Sequence, residues 1–315
     1  MKRAQGERPS IDRCDPATDK EALALAAQAW PQAERAGYWQ AIRSLVSHGD
    51  GQRAVLLAIR NAHRLLAAQV AQVLPGNVAI VWSPQFETPI ASEQLQLAAA
   101  LFARMNHELK QGGAQMAQSL VSASDEATAR SFLIGGFSKA ADLLYLAAEV
   151  NDAAEPPALL FELEAFTPQH EKRWLQLIDR TYAGTLDCPL IDGLRKTEDV
   201  FAGYQAVGEF RPELWQIAVM NGVDVGCLLV NLHPDVGHAE IVYVAIVPEV
   251  RGRGWGLALT RHAQWLARQT KSQRLVLAVD AANEPAIRLY SKAGFDVFDR
   301  RAVWIQSLRE TPNSL

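Results

Sequence analysis

Apolar positions recur along this chain with two periods, and the switches between them predict alternating helices and strands. In the first half the spacing predicts a helix from Asp19 to about Ala36, strands over Ala54–Ile59, Leu65–Val73 and Asn77–Trp82, and a helix over 92–110. In the second half Ala239-Glu240-Ile241-Val242-Tyr243-Val244-Ala245-Ile246-Val247-Pro248 predicts a strand, and Arg274-Leu275-Val276-Leu277-Ala278-Val279 a short buried one. Between them Leu259, Ala263 and Leu266 fall on one helical face. The polar, proline-containing break Asn151-Asp152-Ala153-Ala154-Glu155-Pro156-Pro157 lies near mid-chain and predicts a domain over 1–150, a linker over 151–158 and a second domain over 159–315.

Between the strand ending at Pro248 and the helix carrying Leu259 stands Arg251-Gly252-Arg253-Gly254-Trp255-Gly256. Glycines at such a junction let backbone N–H groups turn toward an anion, and the helix dipole adds positive potential. A phosphorylated ligand is expected. Glycines at 252, 254 and 256 do not make the Gly-x-Gly-x-x-Gly dinucleotide pattern, and Leu257-Ala258 stand where a P-loop needs Lys and Ser/Thr. Arg-x-x-Gly-x-Gly after Ile246-Val247-Pro248 does resemble the coenzyme A pyrophosphate loop of the GNAT N-acetyltransferases. Downstream, Asn283, Ala286, Tyr290, Gly294 and Phe295 reproduce the Asn-x-x-Ala-x-x-x-Tyr-x-x-x-Gly-Phe segment that closes the GNAT cofactor site. The resemblance is specific over 239–295 and extends over roughly 159–309. The same residues also have plain structural uses: Asn283 is a good helix N-cap, Gly294 a good terminator, and Tyr290 shares a helical face with Ala286, Ile287 and Ala293.

The resemblance implies an α/β chain whose second domain binds acetyl-CoA as co-substrate, with no metal. The loop Arg251, Gly252, Arg253, Gly254, Trp255 and Gly256 would hold the pyrophosphate, the Arg251 side chain assisting. Backbone groups of Val244, Ala245 and Ile246 would pair with the pantetheine arm in a gap between splayed strands, and an N–H near Ala245 or Ile246 would polarise the thioester carbonyl. Tyr290 would protonate the departing thiolate, with Asn283 and Ala286 against the cofactor arm. Glu240 occupies the general-base position of the histone acetyltransferase branch. Strict alternation would put it on one face with Val242, Val244 and Ile246, apolar surroundings that raise a carboxyl pKa; a solvent-facing strand-start glutamate is the competing reading. His233 and His238, just upstream, are candidate acceptor contacts. The acceptor groove would be shaped by roughly 181–211, where Asp187, Asp192, Glu198, Asp199 and Glu209 face Arg195, Lys196 and Arg211. That mixture names no particular amine, small-molecule or peptide.

The halves also resemble each other. Glu126 to Phe137 aligns with Glu284 to Phe295, so that Arg130 meets Arg288, Phe132 meets Tyr290 and Gly136-Phe137 meets Gly294-Phe295. In the first copy Phe132 has no hydroxyl, Asp125 replaces Asn283, and the segment Ser83-Pro84-Gln85-Phe86-Glu87-Thr88-Pro89 has no glycine and two residues without N–H. The expected architecture is two tandem GNAT-like domains, each a mixed, mostly antiparallel sheet flanked by helices, the first degenerate and without a cofactor loop. The layout resembles that of mycothiol synthase-like members.

Composition narrows the partners. A formal charge of -4 and a pI near 6.0 argue against a nucleic-acid footprint. No apolar run approaches a membrane span, and Met1 to Pro9 lacks a signal-peptide core. Three unspaced cysteines, Cys14, Cys188 and Cys227, indicate neither a disulfide framework nor a zinc site and fit the cytoplasm. The oligomeric state is open. A catalytically silent acetyl-CoA-binding regulator or scaffold is the alternative to an enzyme.

Overall fold

The structure, a computed structural model, describes residues 9–309 except 31, 33–34, 48–52, 63, 89, 151–156 and 192. Most of the expected linker and Asp192 therefore lie outside the described residues. Compactness divides the chain into unit 1, Met1–Lys139 with Val303–Leu315, and unit 2, Ala140–Ala302. These are not the pieces obtained by cutting at 151–158: residues 140–149 group with unit 2 and 303–315 with unit 1.

In unit 1, strands β1 (Ser10–Cys14), β2 (Ala54–Asn61), β3 (Arg64–Leu74) and β4 (Val78–Val81) pair antiparallel in that order, and β4 pairs parallel with β6 (Met116–Ser122). The two-residue strand β5 (Gln85–Phe86) folds back onto β3. The helices are α1 (Lys20–Ala26), α2 (Arg35–Ser47), α3 (Ala91–Gln111) and α4 (Glu126–Ile134). The helix expected from Asp19 to Ala36 is broken. It starts as expected, with the Asp19 side chain capping Ala22 N, but Trp30 is extended at φ -79° and ψ 136°. Proline follows Trp30 in the sequence, and a residue before proline is driven out of the helical region.

Unit 2 contains most of β7 (Ser138–Glu149), then β8 (Glu162–Ala165), α5 (Glu171–Tyr182), α6 (Thr197–Gln205), β9 (Trp215–Met220), β10 (Val223–His233), β11 (His238–Ile246), α7 (Trp255–Gln269), β12 (Arg274–Asp280), α8 (Glu284–Lys292) and the first part of β13 (Asp296–Ser307). Its sheet runs β8-β9-β10-β11-β12-β7, antiparallel except between β11 and β12. Each sheet is therefore mixed and mostly antiparallel, with helices against it. Among the described residues no helix is long and apolar enough to cross a membrane.

The internal alignment holds element by element. β6 and β12 start at 116 and 274, α4 and α8 at 126 and 284, β7 and β13 at 138 and 296, all 158 residues apart and of equal length within each pair. The caps match as well. Asp125 accepts from Thr128 N as Asn283 accepts from Ala286 N, and Gly136 and Gly294 both stand at φ 83°. Phe137 N donates to Phe132 O as Phe295 N donates to Tyr290 O.

A buried polar hub fixes α6 on the unit 2 sheet. The Trp215 indole N–H donates to Asn231 Oδ1 at 2.7 Å, and Asn231 Nδ2 donates to Tyr204 O and Val207 O. Truncating Asn231 would strand those buried groups at about 1–3 kcal/mol each.

Candidate active site

β11 and β12 pair only from His238↔Arg274 to Ile241↔Leu277. Past that point β11 stays on β10 through Gly226↔Ile246, and β12 stays on β7 through Asp280↔Leu143. The two strands thus part, leaving the β11 edge at Val244, Ala245 and Ile246 unpaired on the β12 side.

At the head of the gap the chain passes Val247 and turns through Gly252 and Gly254, at φ 78° and 81°, into α7. Both dihedrals lie where glycine is favoured. Among the described residues no acceptor takes the N–H groups of Gly252 through Leu257. Donors clustered at the start of a 15-residue helix form an anion cradle. Gly256 serves packing instead, since a Cβ there would come within 2.8 Å of Leu289 Cδ1 on α8. Trp255 is buried edge-on against Phe161, and the Arg253 guanidinium lies over its ring, 5.7 Å from the centroid.

Arg251 requires a correction. Its side chain is not held out for phosphate. Nε donates to Ile246 O, Nη1 to Ala183 O and Gly184 O, and Nη2 to Thr181 O, all within 2.8–3.2 Å. The last carbonyls of a helix attract a cation, so Arg251 is drawn to the end of α5 and fastens the loop after α5 to the glycine turn.

α8 follows the gap. Asn283 caps it through Oδ1, with Ala286 N donating at 3.3 Å, so only the Nδ2 end is left for a ligand. About two turns on, Tyr290 is 8% exposed and packs against Phe295, yet no described residue hydrogen-bonds its hydroxyl. Burial pushes its phenol above the usual tyrosine range, and the Asp187 carboxylate adds to the shift.

Glu240 sits where β11 carries a bulge. Val230 pairs with Ile241 but Leu229 pairs with Tyr243, making Val242 the extra residue. The bulge reverses the alternation beyond it. Glu240 therefore shares its face with Tyr243 and Ala245, not with Val242, Val244 and Ile246 as unbroken alternation predicted. Glu240 Oε2 lies 2.7 Å from His233 Nε2, and the His233 and His238 rings lie 4.7 Å apart. Burial and the neighbouring His233 hold His238 below the usual histidine range. Glu240 and Tyr290 share no contact among those described; they lie on different elements bordering the gap.

Facing Glu240's side of β11 is a group of side chains that sequence spacing did not single out. Tyr182 and Tyr204 bond hydroxyl to hydroxyl at 3.0 Å, Tyr243 bonds Thr181 Oγ1 at 2.9 Å, and the Tyr204 and Tyr243 rings stack at 5.4 Å. Asp187 Oδ1 accepts from Asp280 N, and Asp280 Oδ2 accepts from Cys188 N. The loop after α5 is thereby tied to the end of β12. Among the described residues no group of three or more His, Cys, Asp or Glu is arranged to hold a metal.

Comparison with known proteins agrees with this geometry. Residues 168–295 match the model of the acetyltransferase (GNAT) family. The mycothiol acetyltransferase of Arthrobacter sp. strain FB24 is 31% identical over 158 residues, 48% of this chain and 47% of that protein. The chain spans about half the length of the curated relatives it matches. In fold, the chain is similar to a GCN5-related N-acetyltransferase from Sphaerobacter thermophilus, with TM-score 0.64 at 20% identity over 96% of this chain and 97% of that one. It is also similar to a tandem GNAT protein from the clavulanic acid biosynthesis pathway, with TM-score 0.55 at 15% identity over 97% and 100%.

Proposed function

From the match of residues 168–295 to the acetyltransferase (GNAT) family, we propose that unit 2 moves an acetyl group from acetyl-CoA to a primary amine by direct attack. The observation that carries the reading is the run of unbonded N–H groups from Gly252 to Leu257 at the head of the gap between β11 and β12. It fits a pyrophosphate above an extended arm. The co-substrate supplies an activated acetyl thioester; binding, orientation and proton handling fall to the chain.

In this reading the 252–257 N–H groups and the α7 dipole hold the diphosphate. The free edge of Val244 to Ile246 aligns the arm, and an N–H at Ala245 or Ile246 polarises the carbonyl. Asn283 Nδ2 and the Ala286 surface flank the arm on the α8 side. An ammonium acceptor with an ordinary pKa near 10.4 must lose a proton before attack; Glu240 accepts it, with His233 hydrogen-bonded behind. Tyr290, kept neutral by its burial, donates its hydroxyl proton to the departing sulfur. Arg251 contributes by shaping the loop. Three free cysteines suit a reducing compartment, and we assign the chain to the cytoplasm. The N-terminal copy is assigned no cofactor.

The test is thiol release from acetyl-CoA across a broad amine panel, run beside a binding measurement. Amine-dependent release that falls in Tyr290→Phe supports the transferase. Binding with no turnover on any amine would instead make the chain an acetyl-CoA-binding regulator.

A further inference from the structure

The hairpin joining β10 to β11 places His233, His238 and Glu240 on one face of the sheet, and the transfer chemistry so far uses only Glu240. His233 pairs with His238 and Asn231 with Glu240, so their side chains project together. Glu240 Oε2 lies 2.7 Å from His233 Nε2, a diagonal contact between side chains that are 27% and 24% exposed. A carboxylate can only accept, so Nε2 carries the proton and donates. Among the described residues Glu240 Oε1 and His233 Nδ1 have no hydrogen-bond partner.

The imidazole is also held from two further sides. The His238 ring lies 4.7 Å from it, tilted by 35°. Gly208, at φ 60°, lies against the edge that bonds Glu240: a Cβ there would come within 2.9 Å of His233 Cε1 and 3.0 Å of Nε2. Glycine at 208 meets both the dihedral and the close approach. The segment bearing it is pinned in turn, because Asn231 Nδ2 donates to Val207 O and Glu209 N to Leu232 O at 2.7 Å. The ring is therefore fixed with Nε2 on the carboxylate, not free to rotate in solvent.

Charge follows from this placement. The ionisable groups around His233 are His238 and Glu240 on β11, Asp235 in the turn Pro234–Val236, Glu209 and Arg211 ahead of β9, and Arg274 on β12. Arg211 is paired with Glu209 at 2.8 Å and Arg274 with Glu149 at 2.7 Å. Burial and the neighbouring His233 keep His238 neutral to lower pH, so on acidification His233 is the ring that gains charge first. A positive neighbour stabilises a carboxylate and makes it a weaker base. Glu240 thus accepts a proton readily beside neutral His233 and poorly beside its imidazolium.

Resting on the transfer reaction proposed above, we propose that His233 is a positioning residue: it holds Glu240 by one oxygen so that the other is free for the amine, and its own protonation sets the lower pH limit of the transfer. The amine's proton passes to Glu240 Oε1, and the freed lone pair attacks the thioester carbon. The C–S bond breaks as before, the thiolate taking its proton from Tyr290.

Two measurements on the full chain test this. First, the His233 Cε1–H resonance, identified by its absence in His233→Gln, is followed by NMR against pH in wild type and Glu240→Gln, with no ligand added. Loss of the carboxylate should lower the His233 midpoint by about one pH unit. Second, kcat is measured against pH with acetyl-CoA and the fastest amine of the panel above. Wild type should lose rate as pH falls through about 6.5. His233→Gln still donates to Glu240 but cannot gain charge, so it should match wild type at about pH 8 and keep its rate to lower pH. His233→Ala should lose roughly 10²-fold at every pH, with acetyl-CoA affinity unchanged. An unmoved NMR midpoint, a His233→Gln profile identical to wild type, or full turnover in His233→Ala would each overturn the assignment alone. No turnover by wild type on any amine would defeat the transferase reading and this assignment with it.

Discussion

The two copies of the repeat are most alike at β6-α4-β7 and β12-α8-β13, and they part at the segment that follows the fourth consecutive strand of each unit. In unit 1 the chain leaving β4 turns back onto β3: Trp82 N donates to Val70 O, Glu87 N to Leu66 O, and β5 pairs with Ala67 and Ala68. The first turn of α3 carries Glu93, held by Thr88 Oγ1 at 2.9 Å. Several donors of that segment are consumed, and a carboxylate stands near the helix start. In unit 2 the chain leaving β11 turns through two left-handed glycines, and the corresponding donors stay open. At the end of the repeat, Phe132 fills an apolar cluster with Phe102, Phe137 and Trp304 where Tyr290 keeps a hydroxyl. A shared scaffold can thus carry different loops, because its caps and packing are set by other residues than those of the glycine turn.

Exchanging the paired aromatics sharpens this contrast most. Tyr290→Phe places the unit 1 residue in unit 2; folding and acetyl-CoA affinity should hold while turnover falls roughly 10²- to 10⁴-fold, read from steady-state rates. Unchanged turnover would reduce Tyr290 to a core aromatic. The reverse change, Phe132→Tyr, should give no activity and cost about 1–3 kcal/mol in denaturant unfolding, because a hydroxyl enters a cluster with no partner.

Glu240→Gln should lower turnover about 10²-fold near neutral pH and progressively less as alkali deprotonates the amine directly. A pH–rate profile displaced equally at every pH would make Glu240 a positioning residue. Arg251→Ala has the smallest expected effect. Acetyl-CoA affinity should fall less than about tenfold, whereas hydrogen exchange should quicken near 181–185, where carbonyls lose a charged donor. A collapse of acetyl-CoA affinity without faster exchange would return the Arg251 side chain to phosphate binding.

Much of this was legible in the sequence because it is local. The glycine loop, the Asn283 cap and the 158-residue repeat each follow from adjacent residues, and each is found in place. Proline after Trp30 was equally local, and the helical pattern around it concealed the break. The Val242 bulge was not legible, since alternation shows no extra residue until the partner strand is known. Arg251's carbonyl partners and the Asp187–Asp280 link join positions about 70 and 93 apart, beyond the reach of spacing arguments. The pairing of β7 with β12, which assigns residues before the expected linker to unit 2, is non-local in the same way.

The proposed transferase has one acetyl-CoA site per chain, made by the open N–H groups of 252–257. Calorimetric titration of the full chain tests it most directly, with Gly254→Glu and Gln85→Glu as the paired changes in the two units. Gly254→Glu sets a charged side chain on a left-handed position inside the cradle, and Gly254→Asn, which tolerates that dihedral, controls for folding. A stoichiometry near one is expected, lost in Gly254→Glu and unaffected in Gln85→Glu. Two sites of similar affinity, or binding that survives Gly254→Glu, would contradict it.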